Sequence, residues 1–568
     1  MEVQNKQCQN CQLEFTIAPE DFDFYKKIDV PAPTQCPDCR QRRRSAWRNE
    51  RVLYRRNCDL CGKSTVTIYS QNKPFKVYCP PCWWGDGWET ADVGRDFDFN
   101  RPFFEQWQEL QLSVPRIALL TKNSVNSDYT NHATDNKNCY LCFGLFESEN
   151  VMYSTNIWDG ARDSADCYWL SEGNDLMYEC INCSKCYNCQ FSMLLRDCTN
   201  CLYCYDCRGS SNCFMSVNLR NKQYVFMNEQ LTKEGYEQKL KEFNLGSNVE
   251  RRKLFAQYVE MMRAKALHKF AIIERSTSVS GNEIFNSKNC RNVFEAENAE
   301  DSAYCVVCPD VKDCMDAYHF GFNCSLIYES HALVRDNNTF FTHLSYDNAF
   351  IQYCDSCHNS ENLFGCVGLR KKKYYILNKQ YELVQYKELR AKIIEHMKKT
   401  GEYGEFFPVQ LSPFGYNETQ GHIYMPMAKE EAIAKGFKWE DLAPGTFGKG
   451  SINMKDLADD IKDIPETITK EALTCLQCEK NYNVVIPEVQ LLRRLNLPIP
   501  RLCHDCRYRR RINLRPPRKL WHRQCMKANC ANEFETPYAP DPRYAKGSGE
   551  ASRPEKVYCE SCYNAEVA

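Results

Sequence analysis

The middle of the chain alternates short apolar runs with short polar gaps. Each run is rich in β-branched or aromatic residues and is flanked by Asn, Asp, Ser or Gly, which is the pattern of short strands and turns. Successive runs begin at regular intervals of about 10–13 residues, and such regularity predicts a β-solenoid. With two runs in each coil, we expect about 23 residues per coil and about four coils per solenoid, stacked ~4.8 Å apart.

This region of short runs occurs twice in the chain. Residues 180–230 align with residues 330–380 at a constant offset of 150 without a gap. We therefore predict two short β-helical solenoids, at residues 135–230 and 276–380.

Each predicted solenoid is followed by a helix-compatible stretch, at residues 231–275 and 381–400. Tyr236 in the first stretch corresponds to Tyr386 in the second. The end of a solenoid presents unpaired strand edges, so we expect these helices to cap the solenoids. We predict a connecting segment at residues 96–134, and a linker with a short helix at residues 401–470.

The chain has 36 cysteines, and those near its two ends form regular pairs. An offset of 467 aligns residues 8–58 with residues 475–525, which indicates one module used at both ends. Two thiolates two residues apart can bind one Zn²⁺ from a tight turn, and two such pairs complete a closed tetrahedral site. We therefore predict about four zinc ions per chain, two in each of the modules 1–95 and 471–568. The predicted ligands are Cys8, Cys11, Cys36, Cys39, Cys58, Cys61, Cys79, Cys82, Cys475, Cys478, Cys503, Cys506, Cys525, Cys530, Cys559 and Cys562.

The spacing leaves open how the pairs combine. Sequential pairing joins the first pair to the second and the third to the fourth, whereas a cross-braced pairing would interleave them. We favour sequential pairing because the second pair, CPDCRQRRR, runs straight into a helix-compatible stretch, as in a treble clef. A catalytic zinc needs a position for water, and four cysteines leave none. A redox function is also disfavoured, because the pairs recur in register.

The cysteines of the middle region have a different pattern. Cys142 faces Val293 in the sister copy, and Cys201 faces Ile351. A metal ligand cannot be exchanged for Val or Ile, but a small buried hydrophobic residue can, so we predict that most of these cysteines are core thiols. The exceptions, which could be ligand half-sites, are the facing pairs Cys204/Cys207 and Cys354/Cys357.

Composition narrows the class of protein. The 568 residues suggest three to five domains, and the net charge of −1 means that any nucleic-acid surface must be local. No apolar run approaches the roughly 18 residues of a membrane span, and the N-terminus has no apolar signal region. We therefore expect a cytoplasmic protein without disulfides or a membrane partner. The predicted fold class is a mixed, β-rich multidomain protein in which zinc-ribbon or treble-clef modules flank two solenoids.

Several segments resemble a known family. They are PAPTQCPDCRQRRRSAWRNE, VYCPPCWW followed by FDFNRPFFEQW, KNSVNSDYTNH, LSPFGYNETQ and the terminal KVYCESCY. The chain resembles, over nearly its whole length, zinc-ribbon proteins of uncultured candidate-phylum bacteria. The resemblance implies an intracellular, zinc-binding bacterial protein and brings no activity or catalytic residue. One departure is the wider loop between Cys525 and Cys530, which affects the expected geometry of that site.

The first function hypothesis is nucleic-acid binding, with RNA favoured. Basic segments follow a cysteine pair in both modules, and aromatic residues are interleaved with the arginines. Arginines neutralise phosphates and aromatic rings stack on unpaired bases. The predicted contact residues are Arg40, Arg42, Arg43, Arg44, Trp47, Arg48, Arg507, Tyr508, Arg509, Arg510, Arg511 and Arg515.

Two alternatives remain. The chain could be a protein-interaction scaffold that uses the solenoid surfaces, including Tyr140 and Tyr168, while the arginines pair with acids of the solenoids or of a protein partner. It could also be a β-helical enzyme, but we find no acid pair at matching positions of both copies with a nearby base. His319, His331 and His343 recur every 12 residues in the second copy only, which favours a surface role over a catalytic one. We therefore expect no enzymatic activity.

Overall fold

The computed structural model describes residues 2–442, 444–540 and 555–567, so part of the predicted C-terminal module, residues 541–554, lies outside it. The chain forms two compact units. The first unit comprises residues 1–118 and 271–443, and the second comprises residues 119–270 and 444–568. Each unit therefore combines one terminal module with the solenoid of the opposite half of the sequence.

The helices are short except for one after each solenoid. In chain order they are α1 (Pro19–Lys27), α2 (Pro37–Ser45), α3 (Pro80–Trp84), α4 (Phe103–Ser113), α5 (Lys233–Leu240), α6 (Asn248–Ala264), α7 (Leu383–Thr400), α8 (Gln420–Tyr424), α9 (Lys429–Ala434), α10 (Ile486–Arg494), α11 (His504–Ile512) and α12 (Glu560–Val567).

The terminal modules repeat one simple pattern, a two-stranded hairpin followed by a helix. The antiparallel hairpins pair Gln4–Gln7 with Glu14–Ile17, Ser64–Thr67 with Tyr54–Asn57, Leu473–Thr474 with Asn481–Tyr482, and Trp521–Gln524 with Glu533–Thr536. Two further two-stranded sheets are parallel and pair Val77–Tyr78 with Arg116–Ile117 and Leu267–Lys269 with Lys556–Tyr558. Helices α2, α3, α11 and α12 begin immediately after a cysteine.

The solenoids consist of short strands, most of them four residues long. In the second unit they are Thr121–Lys122, Asn131–Thr134, Phe143–Phe146, Glu149–Met152, Thr155–Ile157, Ala161–Ala165, Tyr168–Ser171, Asn174–Asp175, Ile181–Ser184, Met193–Arg196, Thr199–Leu202, Tyr205–Arg208, Ser211–Phe214, Gln223–Phe226 and Glu229–Gln230. In the first unit they are Ile273–Glu274, Thr277–Phe285, Lys288–Glu297, Glu300–Ala303, Val306–Pro309, Val311–Met315, Tyr318–Phe322, Cys324–Tyr328, His331–Val334, Asn337–Phe340, His343–Tyr346, Ala349–Gln352, Glu361–Phe364, Lys373–Ile376 and Lys379–Gln380.

The strand register sets the length of a coil. Phe143 pairs in parallel with Thr155, which pairs with Tyr168, and that residue pairs with Ile181. One coil therefore contains 12 or 13 residues, and the prediction of two runs and about 23 residues per coil is wrong. The predicted β-solenoid architecture is confirmed, but the solenoids are longer than predicted because the same stretch contains about twice as many coils.

The coils are built on a period of three residues. Cys139, Cys142, Leu145, Ser148 and Val151 point inward and are at most 2% exposed. Two residues after each inward position the backbone turns through the left-handed region, for example with φ of 51° at Leu141, 69° at Gly144 and 49° at Glu147. Four sides of three residues make a coil of 12. This triplet pattern is present in the sequence, for example in CINCSKCYNCQFSML, but the apolar runs of four to six residues overlap successive triplets and hide the period.

The left-handed corners are costly for residues other than glycine, and Asn and Asp tolerate them best. Ladders of these residues run along the coils. The Asn126 Nδ2 donates to Asn138 Oδ1 over 3.1 Å, and Asn138 Nδ2 donates to Asn150 Oδ1 over 3.1 Å. These side-chain hydrogen bonds connect successive coils at the corners and offset part of the backbone strain.

The inward cysteines donate hydrogen bonds to backbone carbonyls. The Sγ of Cys142 lies 3.4 Å from the carbonyl oxygen of Tyr140 and 3.3 Å from that of Val151 in the next coil. The hydroxyl of Ser154 makes a similar bond to Met152, whereas Val293, the sister of Cys142, fills its position with apolar contacts alone. An inward position therefore suits an apolar side chain or a weak hydrogen-bond donor, and cysteine is both.

A short antiparallel strand ends each solenoid. Val225 pairs with Gln230 in the first solenoid, and Tyr375 pairs with Gln380 in the second. Helix α5 contacts the final coil of the first solenoid and α7 contacts that of the second, as expected of caps. Tyr236 and Tyr386 are buried at corresponding places, so the sequence correspondence between them reflects equivalent packing.

We predict that inward cysteines tolerate replacement by the residue types found at other inward positions. Cys201→Val should change the free energy of unfolding by about 1 kcal/mol or less, since valine replaces a thiol of similar volume and loses only weak S–H···O bonds. Cys201→Ser serves as the matched polar variant. Thermal unfolding and elemental analysis would be measured together, and a fall in bound metal for either variant would contradict a core role for Cys201.

We also predict that Asp336→Asn stabilises the second solenoid. Asp336 points inward and is fully buried; its Oδ1 accepts from the backbone N–H of Asn348, while its Oδ2 has no hydrogen-bond partner among the described residues. Burial raises the pKa of Asp336 well above its ordinary value. Its contribution to stability is therefore full below the unfolded pKa of about 3.9 and is lost as the pH rises toward the folded pKa.

The stabilisation by Asp336→Asn should accordingly grow with pH, to about 1–3 kcal/mol at neutral pH. Urea denaturation at several pH values would measure it. The outward Asp347, which pairs with Arg335, gives the control variant Asp347→Asn with the same change of charge. If both variants changed the free energy of unfolding equally at all pH values, the protonation of Asp336 would be excluded as the cause.

Candidate metal centres and basic helices

Four groups of cysteines converge in the described structure. Within each group the four Sγ atoms lie within 4.8 Å of one another. The groups are Cys8/Cys11/Cys36/Cys39, Cys58/Cys61/Cys79/Cys82, Cys475/Cys478/Cys503/Cys506 and Cys525/Cys530/Cys559/Cys562. Sequential pairing is therefore confirmed. Cys530 takes its expected place despite the wider loop before it.

The modules position the four sulfurs through a turn and a helix start. In the first group, the backbone N–H of Gln12 donates to the carbonyl of Cys8 and closes the turn that carries Cys11. Cys36 is the residue before α2, and its backbone N–H lies 3.2 Å from the Sγ of Cys8. The same contact joins Cys79 to Cys58 at 3.3 Å in the second group. Backbone N–H groups directed at sulfur stabilise the thiolate form that binds metal.

One thiol in each group ionises more readily than a free cysteine. A hydrogen bond from Cys36 lowers the pKa of Cys39 to about 5. At Cys58 and Cys475, burial opposes ionisation, but backbone N–H groups of the same turn and of the next cysteine pair lower the pKa to about 7. At Cys559, burial again opposes the shift, and Ser561 and Asn532 help to lower the pKa to about 6. Each group could therefore hold a thiophilic metal ion at neutral pH.

The arginines that follow the first metal group point at acids of the second solenoid. Arg40 Nε lies 2.8 Å from Asp316 Oδ2, and Arg44 bridges Asp316 and Glu329 at 3.1 Å each. Arg43 pairs with Glu329 at 2.6 Å. Arg40, Arg44, Asp316 and Glu329 are each at most 1% exposed. Burial disfavours the charge of Arg40, but Asp316 and its neighbours raise the pKa of Arg40 well above its usual value, so the guanidinium stays charged.

The second unit builds the same network. Arg507 pairs with Asp166 at 3.1 Å, and Arg511 pairs with Asp166 at 2.8 Å and with Glu179 at 3.2 Å. Arg510 pairs with Glu179 at 2.7 Å. The arginines of the two networks are related by the offset of 467, and the aspartates and glutamates by the offset of 150. The duplicated terminal module therefore contacts the duplicated solenoid through the same arginine–carboxylate pairs in both units.

Most residues of the nucleic-acid hypothesis are buried, in these ion pairs or against aromatic rings. Arg509 is exposed, and Arg42 and Arg510 are partly exposed. The buried members are Arg40, Arg43, Arg44, Trp47, Arg48, Arg507, Tyr508, Arg511 and Arg515. Trp47 packs on Phe407, with ring centroids 5.1 Å apart, inside the core of its unit. The structure thus brings the predicted residues together, but against carboxylates and aromatic rings.

The acids of the network were missed in the sequence. Asp166 matches Asp316 and Glu179 matches Glu329 at the offset of 150. The second match was visible where LMYEC faces LIYES. In the structure these acids pair with arginines, and the expectation that no acid pair stands beside a catalytic base stays a prediction.

The histidines of the second copy also lie inside a unit. His331 and His343 are fully buried, and their rings stack 5.4 Å apart. The expectation that the recurring histidines lie on a surface is therefore wrong. Aromatic rings of the first copy also contact one another along the coils: Tyr140 meets Tyr153 edge to face at 5.7 Å, and Phe191 stacks on Tyr203 at 5.0 Å.

Comparisons with known proteins identify no relative. No protein-family model matches the chain, and no curated protein matches it. A search of solved structures returns the crystal structure of a putative acetyltransferase from Desulfovibrio desulfuricans G20, which is 10% identical, covers 49% of this chain and 67% of that chain, and has a TM-score of 0.09. So low a score carries no argument about fold or function. In the described part of the chain, every helix is too short or too polar to cross a bilayer.

We predict that Arg511→Ala destabilises the second unit by about 3–5 kcal/mol, because it leaves buried carboxylates without their partner. Arg509 lies on the same helix but is exposed, so Arg509→Ala should cost less than about 0.5 kcal/mol. Hydrogen exchange of residues 504–512 would measure the difference within one protein segment. If both variants behaved alike, the ion-pair network would not hold the module in place.

Proposed function

We propose that this chain is a non-enzymatic, zinc-binding scaffold protein in which zinc-stabilised modules are held on β-solenoids by buried ion pairs. The observation that carries the proposal is the duplicated network of Arg40, Arg44, Arg507 and Arg511 with solenoid carboxylates. The arginines have a protein partner within their own unit, which supports internal docking over phosphate binding.

Zinc is the metal best suited to these groups. Four converging thiols at tetrahedral spacing favour zinc or an iron–sulfur centre, and the hairpin-and-helix modules with paired cysteines are typical of structural zinc sites. Such sites leave no position for a substrate or water, so zinc would act on folding alone. The resemblance to bacterial zinc-ribbon proteins supports the same choice. Thiolate sites of this kind require a reducing compartment, which supports a cytoplasmic location.

The surface available to a partner is the outer face of the solenoids. Side chains recur there in columns one coil apart, such as Lys137 with Glu149 and Lys312 with Glu300. A regular, rigid array of paired charges and amides is suited to a protein surface with a complementary pattern. We therefore propose that the partner is a protein.

Elemental analysis of the purified full-length chain tests the metal assignment, and we expect about four zinc ions per chain. Replacing Cys36 with Ser should remove the first zinc and unfold its subsite, since zinc contributes about 10–16 kcal/mol to such folds. A matched control is Cys290→Ser, a coil cysteine for which the zinc count should not change. A metal ratio near zero would refute the zinc assignment.

A gel-shift titration separates the scaffold from the nucleic-acid hypothesis. With single-stranded and structured RNA at low salt, we expect no shift for the wild type at micromolar protein. The rival hypothesis expects binding that weakens with salt with a log–log slope of roughly −3 to −6. Salt-dependent binding that is lost in Arg40→Ala while the zinc count stays at four would overturn internal docking as the function of these arginines.

A further inference from the structure

The second cysteine group differs from the other three groups in its exposure to solvent. Among the described residues, Cys61 is the only exposed cysteine, and Cys79 and Cys82 beside it are partly exposed. In the first and third groups three of the four cysteines are buried, and in the fourth group two are buried, whereas Cys58 alone is buried in the second. A small molecule in water therefore reaches the sulfurs of the second group most directly.

The internal geometry of the four groups is the same. In each group, the second cysteine of the first pair lies beside the first cysteine of the second pair. The Sγ–Sγ distances are 3.7 Å for Cys11 and Cys36, 3.9 Å for Cys61 and Cys79, 3.7 Å for Cys478 and Cys503, and 3.8 Å for Cys530 and Cys559. Exposure, and not the spacing of the sulfurs, distinguishes the second group.

Helix α3 connects the second group to the end of the second solenoid. The helix begins after Cys79 and contains Cys82. Arg370, in the last coil, donates to the carbonyl oxygens of Trp83 at 2.6 Å and of Gly85 at 3.3 Å. Its guanidinium also lies over the ring of Trp83, which is fully buried, at 5.4 Å from the ring centre. The docking of α3 on the solenoid therefore depends on a helix that carries two cysteines of the group.

We propose that Cys61 and Cys79 form a peroxide-sensitive switch, in which their oxidation to a disulfide ends zinc binding at the second group and releases α3 from the solenoid. The inference rests on the proposed zinc binding and adds a regulation to it. The susceptibility of a cysteine to oxidation follows its thiolate character and its exposure. Zinc binding requires thiolates in all four groups, so exposure decides which group is oxidised first.

The oxidation has two steps. The Cys61 thiolate attacks one oxygen of the peroxide, the O–O bond breaks, and a sulfenic acid and a hydroxide ion form. The Cys79 thiolate then attacks the Cys61 sulfur and displaces a second hydroxide ion as the S–S bond forms. Two thiolates have lost two electrons, and the peroxide has gained them and, with two protons, becomes two water molecules.

The disulfide leaves Cys58 and Cys82 as the remaining thiolates of the group. Two thiolates do not complete a tetrahedral zinc site, so the metal is lost and Cys82 no longer ties α3 to the hairpin. Helix α3 has five residues, which is too short to be stable by itself in water. Its contact with Arg370 therefore opens once the zinc has left.

Oxidation of the zinc-loaded, full-length chain tests the switch. Hydrogen peroxide is added at neutral pH, and zinc release is followed with a chromophoric chelator. One zinc ion per chain should leave at least about tenfold faster than the others. Mass spectrometry should locate the first disulfide at Cys61 and Cys79, and the matching cysteines of the other three groups provide the internal comparison.

Hydrogen exchange measures the release of α3 in the same samples. After the loss of the first zinc, the exchange of residues 82–88 should increase at least about tenfold, because local opening determines the exchange rate. The exchange of α2, which belongs to the first group, should stay unchanged.

Two variants place a different ligand at equivalent positions of two groups. Cys61→His keeps a zinc ligand and removes the exposed thiol, so the fast phase of zinc release should disappear while the initial zinc content stays at about four per chain. Cys478→His, in the third group, should keep the fast phase. If Cys61→His failed to fold, the comparison of the four groups within the wild type would still decide.

Equal release rates for all zinc ions, a first disulfide in another group, or unchanged exchange of residues 82–88 after the first zinc has left would overturn the switch. A zinc content near zero before oxidation would instead refute the proposed zinc binding, and the switch with it.

Discussion

The contact on which each unit depends is a buried cluster of arginines and carboxylates. Removing charged groups from water is costly, and the cost is offset only when geometry is good and every charge is paired. Asp316 and Glu329 supply that geometry in the first unit, as Asp166 and Glu179 do in the second. Both partners are held in place, the arginines by a helix that begins at a cysteine group and the acids by the coils. A hydrophobic contact of equal area would tolerate sliding, whereas this one specifies a single docking position.

The cysteines serve two purposes, and their hydrogen bonds distinguish them. In the modules, backbone N–H groups point at sulfur and lower the pKa of Cys58 to about 7, which favours the thiolate. In the coils, the thiols donate to carbonyl oxygens, and burial raises the pKa of Cys139 to about 11, which favours the neutral thiol. The same residue type thus forms a group that could hold a metal ion where donors surround it and a core residue where acceptors do.

In the solenoids, backbone strain at the corners occurs together with hydrogen bonds to buried carbonyl groups. A left-handed residue at every third position turns the chain around a narrow core, and each turn directs carbonyl groups inward where water cannot reach them. Inward thiols and hydroxyls donate hydrogen bonds to those carbonyl groups. The side-chain amide of Asn136 does the same, donating to the carbonyl of Leu145 over 2.9 Å. This requirement accounts for a core that mixes Cys, Ser and Asn with Val, Leu and Ile, and it explains why sister positions exchange polar for apolar residues.

The sequence by itself determined the four cysteine groups, the duplication and the solenoid class, because cysteine spacing, repeat offsets and turn residues are local properties of the chain. The sequence also contains the three-residue period that determines the coil length, but the short apolar runs conceal this period. Only the tertiary structure decided what the arginines bind. A guanidinium pairs equally well with phosphate or carboxylate, and Asp316 lies 276 residues from Arg40. Which of the two acceptors an arginine meets depends on how the solenoid and the module fold together, and no local pattern contains that information.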